Sequence, residues 1–220
     1  MTTTAVNRAD LLGQLQERAR QMRRDIIDMV YAANSGHPGG SLSSADILAV
    51  LYGHVLRFDP KQPAWPGRDR FIMSKGHASP LMYAALAEAG YFSKALFPGF
   101  RSFGSILQGH NDATQVPGVE MSAGSLGMGL AFGMGHALAG RLDQKDYRVY
   151  VLLGDGELQE GQIWETAMSA PFHKLSNLTA IVDRNHIQND DFVEATTLLE
   201  PLADKWRACS WHVEECDGHD

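Results

Sequence analysis

Cysteine is scarce: the 220 residues hold two, Cys209 and Cys216. Their spacing matches neither a zinc knuckle nor a CxxC redox pair, which argues against structural zinc and a disulfide framework and suits a reducing compartment. Dense Lys/Arg tracts are also missing. With 19 Lys+Arg against 26 Asp+Glu and a formal net charge of −7, neither nucleic acid nor an anionic membrane is expected as the main partner. The N-terminal MTTTAVNRADLLGQLQER has no apolar run of signal-peptide length, so a cytoplasmic location is expected. One stretch of membrane length lacks formal charge, Met121 to Gly140, but it holds six glycines and only Leu126, Leu130, Phe132 and Leu138 as strong hydrophobes. It reads as a closely packed buried helix, with Gly129 and Gly133 admitting a neighbouring backbone, rather than a membrane span. There is no GxxxxGK[ST]. Gly127-Met128-Gly129 lacks the preceding apolar strand and the third glycine of a dinucleotide fingerprint.

Glycine and histidine are abundant and coupled. Six of nine histidines directly follow a glycine (His37, His54, His77, His110, His136 and His219), where chance expects about one. Glycine tolerates positive φ and close backbone approach, so a Gly-His pair can end a turn with an aimed imidazole. His54 and His136 fall within helical patterns and read as structural; His219 carries no assigned chemistry.

Apolar positions Leu12, Leu15, Ala19, Met22, Ile26, Met29 and Ala33 step by three and four and predict one amphipathic helix from Asp10 to Asn34. NSGHPGG (34–40) breaks it, and Ser43 or Ser44 is expected to cap a second helix over Ala45 to Val55. Arg70 to Met73 reads as a short strand. After SKGHAS, Ser79-Pro80 reads as N-cap and N1 of a helix ending near Gly90. Residues 91–124 read mostly as loop, and a loop of that length is more often functional than idle. Strands are predicted at Tyr147 to Leu153, Leu178 to Asp183 and Trp211 to Glu215, alternating with helices at Gln162 to Lys174 and Leu199 to Ala208. This is an α/β pattern: a parallel sheet with helices on both faces, whose ligands lie at the carboxyl ends of the strands.

At those ends stand Gly154-Asp155-Gly156 and, after the next strand, Asp183-Arg184-Asn185. A carboxylate and an amide oxygen so placed suit Mg²⁺, which takes one or two protein oxygens together with phosphate oxygens. Gly156 can present its N–H to a phosphate at a helix N-terminus. Gly-Asp-Gly alone is ordinary turn chemistry; paired with strand-DxN it points to a metal-bound diphosphate.

GDG…N resembles the thiamine-diphosphate motif. NSGHPGG, RFIMSKGHAS, LQGHND, SAGSLGMG and GDGELQEG together resemble transketolase, in order through nearly the whole chain, and most resemble the N-terminal subunit of a split transketolase. The resemblance implies a thiamine-diphosphate-binding fold over residues 1–220 and a Mg²⁺ ion, or another divalent cation, held by Asp155, Asn185 and the Ile187 carbonyl. It implies contact of His77 and Gly156 with the diphosphate, and places Gly124, Ser125 and Leu126 by the aminopyrimidine. His37 and His110 would face substrate oxygens near the thiazolium. Glu160, with Glu165, would belong to a carboxylate network joining paired active sites across a subunit interface. A buried carboxylate is costly unless paired or protonated, which favours proton sharing at Glu160.

The implied activity is transfer of a two-carbon ketol unit from a ketose to an aldose, with a C-terminal partner subunit carrying the pyrimidine-binding domain, with self-association and with sugar substrates. The family's diphosphate-binding domain continues several dozen residues past Asp220 and there supplies a further active-site histidine, so the domain is expected to be truncated at its C-terminal end. Asn111 stands where proline is common, Met128 where glutamine is common, and Ser125 in place of a proline resembles the split forms. Two alternatives stand beside this reading: a non-catalytic or fragmentary cofactor-binding half, and a 2-oxo-acid dehydrogenase α-type subunit, against which SKGHAS and SGHPGG favour transketolase.

Overall fold

The long N-terminal helix α1 (Arg8–Ala33) buries Ala19, Met22, Ile26 and Met29, a 3-4-3 spacing that puts them on one stripe. Leu12, one heptad before Ala19 on the same face, is exposed. The structure is a computed structural model that describes residues 8–189 and 191–220. NSGHPGG does end α1, with Asn34 at φ +45 and Gly36 at φ +147, but Pro38 then starts a short helix, α2 (Pro38–Leu42), because its fixed φ suits a first turn. The next helix, α3 (Ala45–Val50), continues as a π-turn over Leu51–Val55. Ser44 occupies its N-cap position without a side-chain cap bond. The hydroxyls of both Ser43 and Ser44 donate instead to Asp183, so Ser44 takes the predicted position but neither hydroxyl caps the helix.

Three parallel strands form the sheet in the order β1 (Arg70–Met73), β2 (Val149–Gly154), β3 (Leu178–Asp183). The register sets Met73 beside Leu152 and Gly154 beside Asp183. Alternation along the strands divides the core. Phe71, Met73 and Leu152 pack with α1, α3 and α4 (Ser79–Glu88) on one face. Ile72, Val149, Val151 and Leu153 pack on the other with α5 (Met128–Leu142) and α6 (Gly161–Phe172). Helices thus cover both sides of a parallel sheet, as the sequence predicts.

Two glycines explain how closely α5 sits. A Cβ on Gly129 would lie 2.8 Å from the Ser74 Cα, and one on Gly133 would lie 2.5 Å from Val151 Cγ2. The helix starts only at Met128, however, and Met128 and Phe132 are exposed, so just one of its faces is buried. Ser79 is the first residue of α4 rather than its cap; its hydroxyl donates to the Gly109 carbonyl. Residues 91–124 are mostly loop, with a 3-10 turn over Lys94–Gly99.

Beyond β3 a two-stranded ladder, β4 (Ile187–Gln188) with β5 (Asp191–Phe192), leads into α7 (Val193–Thr196) and α8 (Leu202–Ala208). The predicted strand Trp211 to Glu215 does not form. It pairs with no strand among the described residues, and Trp211 instead packs on Trp206 and donates its indole N–H to the Ala167 carbonyl. Apolar alternation here serves side-chain anchoring without a ladder. Among the described residues no helix is long and apolar enough to cross a membrane.

Candidate active site

The carboxyl ends of β2 and β3 lie side by side, and the Asp155 N–H donates to the Asp183 carbonyl at 3.2 Å. Asp155 is 1% exposed. Its Oδ1 accepts the Gly156 N–H at 2.9 Å, and its Oδ2 accepts the His186 N–H at 2.6 Å and Arg184 Nη1 at 3.0 Å. Asn185 stands in the same loop. Its Oδ1 accepts the Ile187 N–H at 3.0 Å and its Nδ2 donates to Asp183 Oδ2 at 3.0 Å. The two strand-end motifs therefore meet. A Cβ on Gly156 would lie 2.8 Å from the Gln188 side chain, so the turn after β2 and the β4 strand are in close contact.

Three of the six Gly-His pairs converge with them. His37 precedes α2, His77 sits in the 3-10 turn Gly76–Ala78, and the two rings cross nearly perpendicularly with centroids 5.4 Å apart. Gly40 leaves room for His77: a Cβ there would lie 3.1 Å from Nε2. The SAGS loop passes behind. A Cβ on Gly76 would lie 2.4 Å from the Ala123 Cβ and 3.0 Å from the Gly124 nitrogen, and one on Gly124 would lie 3.8 Å from His110 Cγ. Gly124 itself has φ +154, a conformation suited to glycine. NSGHPGG, SKGHAS, LQGHND and SAGS, spread over some ninety positions of sequence, thus form one contiguous surface.

Burial, reinforced by the positive Lys75 and the neighbouring His37 and His110, pulls His77 down from 6.5 to about 4. His110 is lowered by burial, with His37 and Arg101 adding to it. His77 and His110 are therefore neutral near pH 7, each ring offering one donor and one acceptor. His54 is exposed, and His136 is half-buried against Phe132, away from this cluster. His219 reaches Asp46 at 2.9 Å.

Buried charge holds these loops, and the sequence pattern does not announce it. Lys75 is 0% exposed; its ammonium donates to the Gly40 carbonyl at 2.7 Å and is ion-paired with Asp183. Glu157 is likewise buried: it accepts the Gly127 N–H at 2.9 Å, the Gly154 N–H at 3.0 Å and the Ser74 hydroxyl. Burial pushes the Glu157 carboxyl above its usual range. It ties the Gly-rich loop before α5 to the turn after β2. The available signal was position: Lys75 directly precedes a Gly-His, and Glu157 directly follows GDG.

Gly124, Ser125 and Leu126 are exposed, and Gly124 lies beside His110. Glu160 occupies the N-cap position of α6 without a side-chain cap bond, and both Glu160 and Glu165 are exposed. The expected burial of Glu160 is therefore not met within the single chain. A Cβ on Gly127 would lie 2.7 Å from the Glu160 Cβ, so the carboxylate borders the Gly-rich loop.

The donor set at the strand ends fits Mg²⁺ and a diphosphate. Carboxylate, amide and carbonyl oxygens are hard ligands, and neutral imidazoles with backbone N–H groups suit phosphate oxygens. Among the described residues no group of three or more His, Cys, Asp or Glu side chains converges on a metal position, so a cation here needs backbone and ligand oxygens as well, the usual habit of Mg²⁺.

Comparison with known proteins agrees with this geometry. Residues 15–220 match the family described as transketolase, thiamine diphosphate binding domain. The chain is 43% identical over 205 residues to the 6-deoxy-6-sulfo-D-fructose transketolase subunit of a Clostridium strain, covering 93% of this chain and 74% of that one. It is 42% identical to an apulose-4-phosphate transketolase subunit from Phocaeicola vulgatus, covering 93% and 72%. The crystal structure of transketolase from Campylobacter jejuni superposes with a TM-score of 0.90 at 40% identity, covering 94% of this chain and 34% of that one. The chain thus spans about a third of such a transketolase and about three-quarters of the subunit-type relatives. It belongs to the transketolase family, a family of enzymes, and carries that family's thiamine diphosphate binding domain.

Proposed function

We propose that this chain holds the diphosphate end of thiamine diphosphate with a divalent cation and, paired with a chain carrying the pyrimidine-binding domain, transfers a two-carbon ketol unit from a ketose to an aldose. The observation that carries the reading is the convergence of His37, His77 and His110 beside the GDG and DRN strand ends. The relatives named as transketolase subunits support a two-chain enzyme in which the described residues are the diphosphate-binding domain. Two unpaired thiols suit work in the reducing cytoplasm.

Asp155, the Asn185 amide oxygen and the Ile187 carbonyl are the cation ligands in this account, and Arg184 with two backbone N–H groups holds the Asp155 carboxylate in place. When bound, thiamine diphosphate supplies the carbanion and the electron sink. This chain's residues bind and orient. His77, kept neutral, donates an N–H to a diphosphate oxygen, as does the backbone at Gly156. His37 and His110 hydrogen-bond sugar oxygens and move a proton at the hydroxyl or alkoxide oxygen, a role suited to imidazoles near neutral pH. Gly124, Ser125 and Leu126 border the aminopyrimidine. Glu160 and Glu165, with the exposed Met128, Phe132, Met168 and Phe172 of α5 and α6, face a second subunit, where burial gives Glu160 its reason to share a proton.

Calorimetry tests the binding half of this reading. The chain mixed with its pyrimidine-domain partner is expected to bind thiamine diphosphate only with Mg²⁺ present, and Asp155→Ala to weaken that binding at least about 100-fold, the loss of a ligand exceeding the 10–100-fold typical of its supports. Equal binding by the Asp155→Ala protein would overturn it, and tight binding by the isolated chain would contradict a site shared between chains.

A further inference from the structure

Asp183 is not among the proposed ligands, yet it is the most heavily used carboxylate near them. It ends β3, is 6% exposed, and its Oδ2 receives Ser43 Oγ at 2.6 Å, Ser44 Oγ at 2.9 Å, Asn185 Nδ2 at 3.0 Å and the Lys75 ammonium. Lys75 in turn donates to the Gly40 carbonyl. Every one of these donors comes from a segment that borders the site: the NSGHPGG loop and the serines after it, the SKGHAS turn, and the DRN loop.

The consequence falls on Asn185. An amide side chain can present either its oxygen or its nitrogen to a neighbour, and only the oxygen can ligate a cation. Here both ends are fixed. Nδ2 faces a carboxylate, which can only accept when ionised, and Oδ1 faces the Ile187 N–H, which can only donate. A flipped amide would set N–H against N–H and oxygen against carboxylate. Lys75 adds the charge that keeps a carboxylate tolerable at this depth.

We infer that Asp183, held by Lys75 and the two serines, is a positioning residue that fixes the Asn185 amide with its oxygen available to the cation. This rests on the cation role proposed for Asn185. It makes the first residue of DRN a support for the third, and explains why a lysine is buried directly before the Gly-His that presents His77. Supports of this kind change metal affinity about 10–100-fold when removed.

The test uses charge-matched pairs, because removing one partner alone leaves a buried charge and damages the fold. Lys75→Met with Asp183→Asn keeps a neutral pair and an acceptor oxygen for Asn185 Nδ2. Lys75→Met with Asp183→Leu is equally neutral but offers no acceptor. Mn²⁺ binding to the chain mixed with its pyrimidine-domain partner, with thiamine diphosphate present, is read by electron paramagnetic resonance, and thermal unfolding is recorded for each protein. The Leu pair is expected to bind Mn²⁺ about 10–100-fold more weakly than the Asn pair, which stays within about threefold of wild type. Equal affinity of the two pairs, with both folded, would overturn the positioning role while leaving the cation site intact. Absence of saturable Mn²⁺ binding by wild type, or unchanged binding by Asp155→Ala, would overturn the cation reading itself. If the Leu pair does not fold, the wild-type Asn185 side-chain amide decides by NMR: slow hydrogen exchange is expected, and free exchange would contradict the proposal.

Discussion

His77 lies within a crowd of basic groups, Lys75, His37 and His110, with Asp183 the nearby counter-charge, and burial holds it at about 4. An unfolded chain would take up this proton near 6.5 while the folded one resists it until about 4. The native state therefore binds fewer protons in that window, and the His77 contribution to stability is lost as pH falls from about 6.5 towards 4. Replacement by Gln is expected to flatten that part of the acid limb in urea titrations run across the window, with His110 and His136, also lowered by burial, supplying what slope remains. An unchanged limb would mean that His77 is solvated. Lys75→Met, without compensation at Asp183, is expected to cost about 3–5 kcal/mol, as removing one partner of a buried pair does, measured by the same titrations at neutral pH. The histidines were legible in the sequence because each follows a glycine inside a loop. Lys75, Glu157 and Asp183 were not legible as structural hubs. A charged residue in a sequence reads as solvated until burial is known, and theirs is set by segments as distant as Ser43 and Gly127.

Helices and strands obey local rules where their environment is uniform and depart where a long-range partner intervenes. α1 and β3 follow directly from apolar periodicity, β3 with the expected bounds. Ser43, Ser44 and Ser79 look like caps, yet Asp183 and the Gly109 carbonyl take their hydroxyls. Trp211 to Glu215 has strand-like residues but no partner to pair with among those described, and pairing rather than propensity makes a strand. The glycines of α5 separate these effects experimentally. Gly129→Ala is expected to destabilise by about 1–3 kcal/mol, since its Cβ would collide with the Ser74 backbone. Gly135 has nothing within 4 Å of an added Cβ, and Ala there is expected to stabilise by about 0.5–1 kcal/mol through helix propensity. Chemical denaturation of the two variants reads both, and equal effects would mean that α5 does not pack closely on β1.

As a whole molecule the chain gathers four loop motifs and two strand ends on one side of a three-layer α/β/α arrangement, and leaves exposed the residues that the proposed reading turns toward a partner. Leu126, Met128, Phe132, Met168 and Phe172 are all exposed, and Glu160 stands open beside Gly127. That exposure suits the proposed site completed by other chains, and it was beyond reach from one sequence, where only the family resemblance pointed to a partner. The GDG and DRN turns were legible because they sit at strand termini that periodicity locates. The most direct measurement is ketol transfer from a panel of ketose phosphates to aldoses by this chain mixed with its pyrimidine-domain partner, Mg²⁺ and thiamine diphosphate. The account predicts product only when both chains and both cofactors are present; two folded chains that bind the cofactor together and transfer no ketol unit would contradict it.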